Sequence, residues 1–294
     1  MDDRRDQHVN YWRLLGWIVA IIALVFVGRW IWRLDRHVWS NLKQLRWHWL
    51  LLSVLLLQLW FVGRFLAWEY LVKKFGSQAT RTINARNWTL SELARYVPGN
   101  VWSFAARYRS STSTGVSSPN AIQVLALEVI GLASGAGLIA AMTYQPQTWW
   151  WAALLIIMIV PIIAAPIVTW VTKKFNAGQA PPVGLTTMIG LICWYMIVWL
   201  IYGLATTAVV RSFPGLNFTW TSMVGINVAA WLIGYLSILT PMGLGVREIS
   251  FVALSAGQLS AGVASLVSLT TRLWLVVSEL FFLGLVLTWS MIKK

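Results

Sequence analysis

Charged residues are scarce in this chain of 294 residues. Only 11% of them are Asp, Glu, Lys or Arg, whereas a soluble domain has about 25%. Hydrophobic residues make up 58% of the chain, so too little polar surface remains for the protein to face water on all sides. We therefore interpret the chain as a polytopic membrane protein that leaves no room for a soluble catalytic domain.

Several residue types that carry enzyme chemistry are also missing from the apolar part of the chain. Aspartate does not occur after Asp35, and the histidines, His8, His37 and His48, all come early. These absences exclude paired-aspartate sites, histidine metal sites and a late catalytic histidine from the membrane core. The single cysteine, Cys193, excludes a disulfide within the chain. No Gly-x-x-x-x-Gly-Lys-[Ser/Thr] loop occurs, so we expect no ATP-driven pump. From these absences together we expect no cofactor and no enzymatic activity.

Acidic residues are few relative to basic ones, 9 against 23, which gives a net charge of +14. Arginine stays ionised and binds phosphate through two parallel hydrogen bonds, so we expect anionic phospholipid headgroups to be a partner. The alternative is only the positive-inside bias of short membrane loops and their attraction to an anionic leaflet. Nucleic acid is not expected, because the basic residues lie in short loops rather than on one soluble face.

Long apolar runs predict membrane-spanning helices, each of which needs about 20 mostly apolar residues. The seven predicted spans are residues 14–28, 47–63, 121–144, 149–172, 183–210, 220–240 and 273–292. An eighth is added if residues 249–270 cross fully. Pro161 and Pro166 predict a kink in the fourth span. The sequence thus predicts one all-α integral membrane domain over residues 1–294, located as a multi-pass protein in the cell (plasma) membrane.

Two stretches, residues 87–106 and 241–270, do not fit this scheme. They are rich in Gly, Ser and Thr, broken by proline, and carry ionisable residues, so we interpret them as re-entrant or broken hairpins. Non-helical backbone at membrane depth survives only where it is buried in protein or lines a wet cavity, which predicts a cavity near both. Each stretch leads to a helix with one buried acid, Glu128 or Glu279. This pairing suggests an inverted repeat around a transport site; chance similarity is the alternative.

The first stretch contains an arginine-rich break. Arg95 is followed by Pro98 and Gly99, then by Trp102 and Arg107. Proline and glycine favour the end of one helix and the start of another, and a helix N-terminus attracts anions. We expect Arg95 and Arg107 to add charge-assisted hydrogen bonds to one phosphate. The alternative is an interfacial turn with snorkelling arginines.

The second stretch contains two glycines followed by two opposite charges. Gly243 and Gly245 allow close backbone approach, and Arg247 and Glu248 come directly after them. Charges at membrane depth are candidates for a functional site. Adjacent helical residues point to different faces, so we predict different partners for Arg247 and Glu248. The alternative is a buried structural ion-pair network that holds the hairpin in place.

Three more charges lie within the predicted spans or directly next to them. Glu128 lies in the third span, and Arg272 and Glu279, seven residues apart, share one face near the end of the chain. A lone carboxylate in hydrocarbon is either protonated or paired with an arginine. The glutamates therefore either couple transport to protons or form salt bridges, for example to Arg247 or Arg95.

Residues 95–102 and 241–248 together resemble the two signature stretches of the flippase-like family that includes the membrane domain of lysylphosphatidylglycerol synthase. The resemblance extends from about Trp47 to the end of the chain, and Met242 stands where the family usually has another glycine. It implies movement of a lipid with a polar headgroup between leaflets. The chain lacks a counterpart of the aminoacyl-transferase domain, so the resemblance implies the flippase half only. Stand-alone members resemble partners of cell-envelope glycosylation, so the cargo is an aminoacylated phospholipid or a polyprenyl-phosphate-linked sugar.

The sequence therefore predicts a lipid flippase or scramblase driven by a lipid or ion gradient. The predicted headgroup-binding residues are Arg95, Pro98, Gly99, Trp102, Arg107, Gly243, Gly245, Arg247 and Glu248. The predicted buried charge network consists of Glu128, Arg272 and Glu279. One alternative is a non-transporting scaffold that recruits a glycosyltransferase, and another is a membrane-embedded transferase that uses Glu128 or Glu248 as a base.

Overall fold

The computed structural model describes residues 44–96, 101–144, 146–175, 182–237, 243 and 245–292. The predicted first span, residues 14–28, lies outside these ranges, and so do Pro98, Gly99 and Met242. Within the described ranges the chain consists of helices and connecting turns, with no strand. The prediction of an all-helical protein is confirmed for this part of the chain.

The described helices follow one another with short connections. In chain order they are α1 (Trp47–Lys74), α2 (Arg81–Leu93), α3 (Val101–Thr112), α4 (Ser118–Thr143), α5 (Pro146–Phe175), α6 (Leu185–Ser212), α7 (Trp220–Leu236), α8 (Val246–Ser255) and α9 (Ala261–Ile292). A single 3-10 turn, Ala94–Tyr96, continues directly from α2. This turn and the first residues of α3 flank the predicted proline-glycine break.

Four of the described helices, α1, α4, α6 and α9, are long and apolar enough to cross a membrane. Each has a mean hydropathy of 2.0 over its most apolar window. Two further apolar segments are shorter, namely α7 and residues Ile159–Trp170 within α5. Large apolar side chains project outward, for example Leu51 and Leu55, each 64% exposed, and Ile162, 63% exposed. Such surface is costly in water, which is consistent with an integral membrane protein.

Several helices are longer than the apolar runs predicted. α1 continues past Gly63 to Lys74, with Arg64 and Glu69 buried inside it. Each of these charges meets an opposite charge from another element, so they do not end the helix. α5 likewise runs through both Pro161 and Pro166 without a break in the helix.

The second broken stretch forms a short helix and the start of a long one. α8 ends at Ser255, a turn follows, and α9 begins at Ala261 rather than at Leu273. Residues 249–270 are therefore not one continuous helix, and the eighth span stays a prediction. The amides of Gln258 and Leu259 both donate to the carbonyl of Ser255, which closes the turn that separates α8 from α9.

Close helix packing brings the later site together. α6 packs against α1 and α4, while α7 packs against α4 and α8, and α2 packs against α3 and α9. Glycines allow α4 to approach α6. A Cβ atom on Gly131 would lie 2.8 Å from Leu191 Cγ, and one on Gly135 would lie 2.7 Å from Tyr195 Cβ. The face of α4 that carries Glu128 is thereby held at the centre of the bundle.

Candidate functional site

Glu92, at the end of α2, is the centre of a buried ion cluster. Its Oε2 lies 2.5 Å from Arg64 Nη1 of α1 and 3.0 Å from Arg95 Nη1 of the 3-10 turn. Its Oε1 accepts from Arg107 Nη2 of α3. Burial alone would raise the pKa of Glu92, but the three guanidinium groups outweigh it and lower that pKa to about 2. The carboxylate is therefore ionised at any physiological pH.

Two acids from the long helices complete the cluster. Glu128 of α4 places Oε2 3.3 Å from Arg107 Nε. Glu279 of α9 places Oε2 2.5 Å from Arg95 Nη2 and accepts a hydrogen bond of 2.5 Å from the hydroxyl of Tyr96. Buried charges are tolerated when they are paired in this way. Three arginines and three glutamates thus join five helices and one turn.

Aromatic rings and a hydroxyl fix the arginine side chains. The guanidinium carbon of Arg64 lies 4.9 Å from the ring centre of Trp60, and that of Arg107 lies 4.9 Å from the ring centre of Trp88. Such cation–π contacts are favourable when the cation is desolvated. Arg107 Nη1 also donates to Ser91 Oγ at 2.7 Å. These contacts leave the guanidinium groups little freedom to reorient.

The start of α8 holds a second group of charges. Glu248 accepts from the backbone amide of Gly245 at 2.8 Å and pairs through Oε1 with Arg272 Nη1 of α9 at 2.6 Å. Arg247 instead donates from Nη2 to the hydroxyl oxygen of Tyr202 on α6 at 2.8 Å. The prediction that Arg247 and Glu248 have different partners is confirmed.

Two glycines bring this segment against α7. Gly243 has φ +65°, and a Cβ atom there would lie 2.6 Å from both Cα and O of Gly234. A Cβ atom on Gly234 would lie 2.9 Å from Arg247 Cβ. Only glycine fits at both positions without a shift of the backbone. The contact places Arg247 beside α7 and inside the bundle, where only 7% of the residue's surface is exposed.

A cavity of about 100 Å³ lies where the two groups meet. Four arginines line it, namely Arg64, Arg95, Arg107 and Arg247. Glu92 and Glu128 also line it, together with Phe104, Trp231 and Tyr235. A cavity of this size has room for a few waters or one phosphate-sized anion.

The charges around this cavity do not balance. Four guanidinium groups face three carboxylates, those of Glu92, Glu128 and Glu279, when all are ionised. Among the described residues, no carboxylate lies within 4 Å of Arg247. One positive charge is therefore in excess, and it belongs to Arg247. A buried cation without a counterion attracts an anion, so the arrangement can bind an oxyanion.

The structure brings some of the predicted site residues together and leaves others apart. Arg95, Arg107, Arg247 and Glu128 line one cavity, and Glu279 contacts Arg95 from behind. Of the salt bridges expected for the two glutamates, for example to Arg247 or Arg95, the one between Glu279 and Arg95 is confirmed. Glu128 pairs with Arg107 instead.

The remaining predicted residues are not part of the cavity wall. Gly243, Gly245 and Glu248 shape the start of α8, and Glu248 turns toward Arg272. Trp102 is 45% exposed on α3 and is not a lining residue of the described cavity. Pro98 and Gly99 lie outside the described residues, so their predicted role stays a prediction.

Three important residues were missed by the sequence predictions. Arg64 lies just outside the predicted span of residues 47–63, although the apolar residues on both sides of it indicate a longer helix. Glu92 lies one helical turn before Arg95, a spacing that favours a salt bridge, and the contact exists at 3.0 Å. For Tyr202, a tyrosine in the middle of an apolar helix, the sequence offers no signal of its partner.

A second recess lies on the apolar surface of α5. It has a volume of about 550 Å³ and is lined mainly by side chains around Pro161, Pro166 and Trp170. Its described lining is apolar apart from Thr169 and carries no charge. One threonine among its described lining residues does not provide the several converging polar groups that fix a polar ligand, so we assign the candidate site to the arginine-lined cavity.

Comparison with models of known protein families finds no match for this chain, and comparison with curated proteins finds none. The resemblance of residues 95–102 and 241–248 to a flippase-like family therefore stays a prediction. What the cavity does is inferred from its contacts and charges.

Proposed function

We propose that this protein is a lipid flippase or scramblase that moves an anionic lipid, including an aminoacylated or glycosylated one, between leaflets without ATP. The observation that supports this function is the buried Arg247, which meets a phenol instead of a carboxylate at the wall of a polar cavity. A charged group inside a bundle of apolar helices is a candidate for a substrate pathway. The partner would be a membrane phospholipid or a polyprenyl-phosphate-linked sugar.

The energetic role of the cavity is to replace the water around a headgroup. Moving an ion out of water costs on the order of several kcal/mol per ion, even after the protein has relaxed around it. Arg247 and the Tyr235 hydroxyl at the cavity wall offer hydrogen bonds that offset part of this cost. The cavity of about 100 Å³ accepts a phosphate group, and the acyl or prenyl tails would stay in the lipid.

This function goes with a finer proposal for the fold. Residues 14–28, α1, α4, α5, α6, α7 and α9 would form seven spans of a multi-pass protein in the cell membrane. The segment from α2 to α3 and the segment formed by α8 with the start of α9 would be the two re-entrant hairpins. Glu128 and Glu279 both reach arginines of the first hairpin, from two different spans, so the inverted repeat rests on the sequence pairing of the two stretches alone.

One observation favours a second candidate function, that of a scaffold for a cell-envelope glycosyltransferase. Arg64, Arg95 and Arg107 are all bound by carboxylates, which suits a purely structural network. A scaffold needs no anion at Arg247. It predicts that substitutions in the two hairpins abolish co-purification with the enzyme and leave lipid movement at the protein-free rate.

The test of the proposed function is reconstitution of the purified protein in liposomes that contain lipids with a dithionite-quenchable fluorophore. We expect the wild-type protein to move labelled phosphatidylglycerol faster than protein-free vesicles do. Arg86→Ala, on the exposed face of α2, is the matched arginine control and should retain this rate. If the wild-type protein moves every labelled headgroup no faster than protein-free vesicles do, the proposal is overturned.

Chemical turnover of the labelled lipid by the purified protein would instead identify a transferase. The variants Glu128→Gln and Glu248→Gln would then test which glutamate acts as the base.

A further inference from the structure

The four arginines of the cavity differ in how many of their donors are already used. Glu92 binds Arg64, Arg95 and Arg107 together, and Glu279 binds Arg95 a second time. An incoming anion at any of these three would have to displace a carboxylate that is held in place by the others. These arginines therefore act as the fixed frame of the cavity.

Arg247 is the exception. It has five N–H donors, of which Nη2 is bound to the Tyr202 hydroxyl. Its side chain is only 7% exposed, it lines the cavity, and it is held from behind by Gly234. A planar guanidinium in a fixed position recognises two oxygens of a phosphate through parallel hydrogen bonds.

The charge balance narrows the ligand further. With every carboxylate ionised, the cavity has one positive charge in excess, and protonation of a glutamate would only increase that excess. The ammonium group of a zwitterionic or cationic headgroup would meet four guanidinium groups, since Glu92 and Glu128 are already paired. A phosphodiester with one net negative charge balances the site, and a cavity of about 100 Å³ accepts its phosphate group.

From these observations we infer that the ligand of the cavity is a lipid phosphodiester with a net charge of −1, anchored by Arg247. The inference rests on the proposed function and narrows it, because it excludes aminoacylated and zwitterionic lipids as preferred cargo. Arg64, Arg95 and Arg107 are positioning residues that hold the walls in place. The recognised chemistry is the singly charged phosphodiester, which a lipid or a soluble molecule can supply.

The test is a binding measurement in detergent by native mass spectrometry, with phosphatidylglycerol and phosphatidylcholine of the same acyl chains at equal concentration. We expect the wild type to retain phosphatidylglycerol over phosphatidylcholine by about tenfold or more, as one charge-assisted contact allows. Arg247→Ala should bind both lipids equally, Arg247→Lys should keep part of the preference, and Arg86→Ala should keep all of it. Equal binding of both lipids by the wild type, or a preference that survives in Arg247→Ala, would overturn the inference.

Two further arms identify the source of the ligand and control for folding. Soluble glycerophosphoglycerol that displaces the lipid shows recognition of the head alone, and failure to displace shows that the lipid tails are required. Tyr195→Phe is the control for folding, because the buried Tyr195 hydroxyl has no hydrogen-bond partner among the described residues, and this variant should keep the preference for phosphatidylglycerol. Loss of the preference in Tyr195→Phe at an unchanged unfolding temperature would contradict the role given to Arg247.

The binding measurement and the vesicle measurement distinguish a failure of the inference from a failure of the proposed function. An Arg247-dependent preference in binding without lipid movement in vesicles would overturn the proposed flippase function and leave the anion site. Lipid movement at equal rates for phosphatidylglycerol and phosphatidylcholine, with equal binding of both, would overturn the inference and leave the flippase.

Discussion

The guanidinium group of Arg247 donates a hydrogen bond from Nη2 to the hydroxyl oxygen of Tyr202 at 2.8 Å. The next residue, Glu248, does not neutralise it, since Glu248 pairs with Arg272. A phenol satisfies a donor without supplying a negative charge. The pair therefore orients Arg247 toward the cavity while its charge stays available for an anion.

Removal of the Tyr202 hydroxyl tests how much this contact stabilises the fold. Hydrogen bonds to charged groups contribute about 1.5–3 kcal/mol, so Tyr202→Phe should lower the free energy of unfolding in detergent by about that much. Tyr195→Phe is the control, because the buried Tyr195 hydroxyl has no hydrogen-bond partner among the described residues. A loss of stability in Tyr195→Phe as large as that in Tyr202→Phe would contradict the contact.

Neutralisation of Glu92 should destabilise the protein strongly. Glu92→Gln leaves Arg64, Arg95 and Arg107 without their common carboxylate, and an uncompensated buried charge costs about 3–5 kcal/mol. Glu69→Gln is the control, since Glu69 pairs with Arg81, whose side chain is 66% exposed. Thermal unfolding in detergent should show a much larger drop in midpoint for Glu92→Gln. Equal drops would mean that Glu92 does not hold the cluster together.

The same glutamate predicts a dependence of stability on pH. Burial raises the pKa of Glu92, but its three arginines lower it overall, to about 2 from the ordinary 4.5. A carboxylate with a lowered pKa stabilises the folded state fully above its unfolded value, and this contribution is lost as the pH falls toward the folded value. The stability difference between the wild type and Glu92→Gln should therefore be constant above about pH 5 and shrink between pH 4.5 and 2. A difference that grows on acidification would contradict the assignment.

The two glycines before α8 should respond differently to alanine. Both have positive φ, +65° at Gly243 and +82° at Gly245, a conformation that L side chains rarely adopt, so both variants are destabilised by backbone strain. Gly243→Ala adds a clash with the backbone of Gly234, whereas a Cβ atom on Gly245 meets nothing within 4 Å. Gly243→Ala should therefore unfold at the lower temperature. The reverse order would mean that Gly243 does not pack against α7.

Much of the fold could be predicted from the sequence because apolar runs of this length have few alternatives to a helix. The ends of the helices could not, because a buried charge ends a hydrophobic run in the sequence without ending the helix. Arg64 shows this: its partner Glu92 is 28 residues away in the chain, and only the tertiary structure brings them together.

The arginines of the candidate site could be predicted from the sequence, but the side chain that each arginine contacts could not. Arg95, Arg107 and Arg247 stand out beside glycine and proline in an apolar chain. Which carboxylate each one meets depends on helix packing, and the sequence therefore did not separate the three. The structure distinguishes Arg247 from the others by the absence of a described carboxylate near it.

The most direct test of the account is the rate at which phosphatidylglycerol crosses liposomes that contain Arg247→Ala, compared with Arg86→Ala at equal protein density. We predict that Arg86→Ala moves the lipid at the wild-type rate and that Arg247→Ala falls by about tenfold or more, as loss of one charge-assisted contact implies. Equal rates in the two variants would contradict a pathway that passes Arg247.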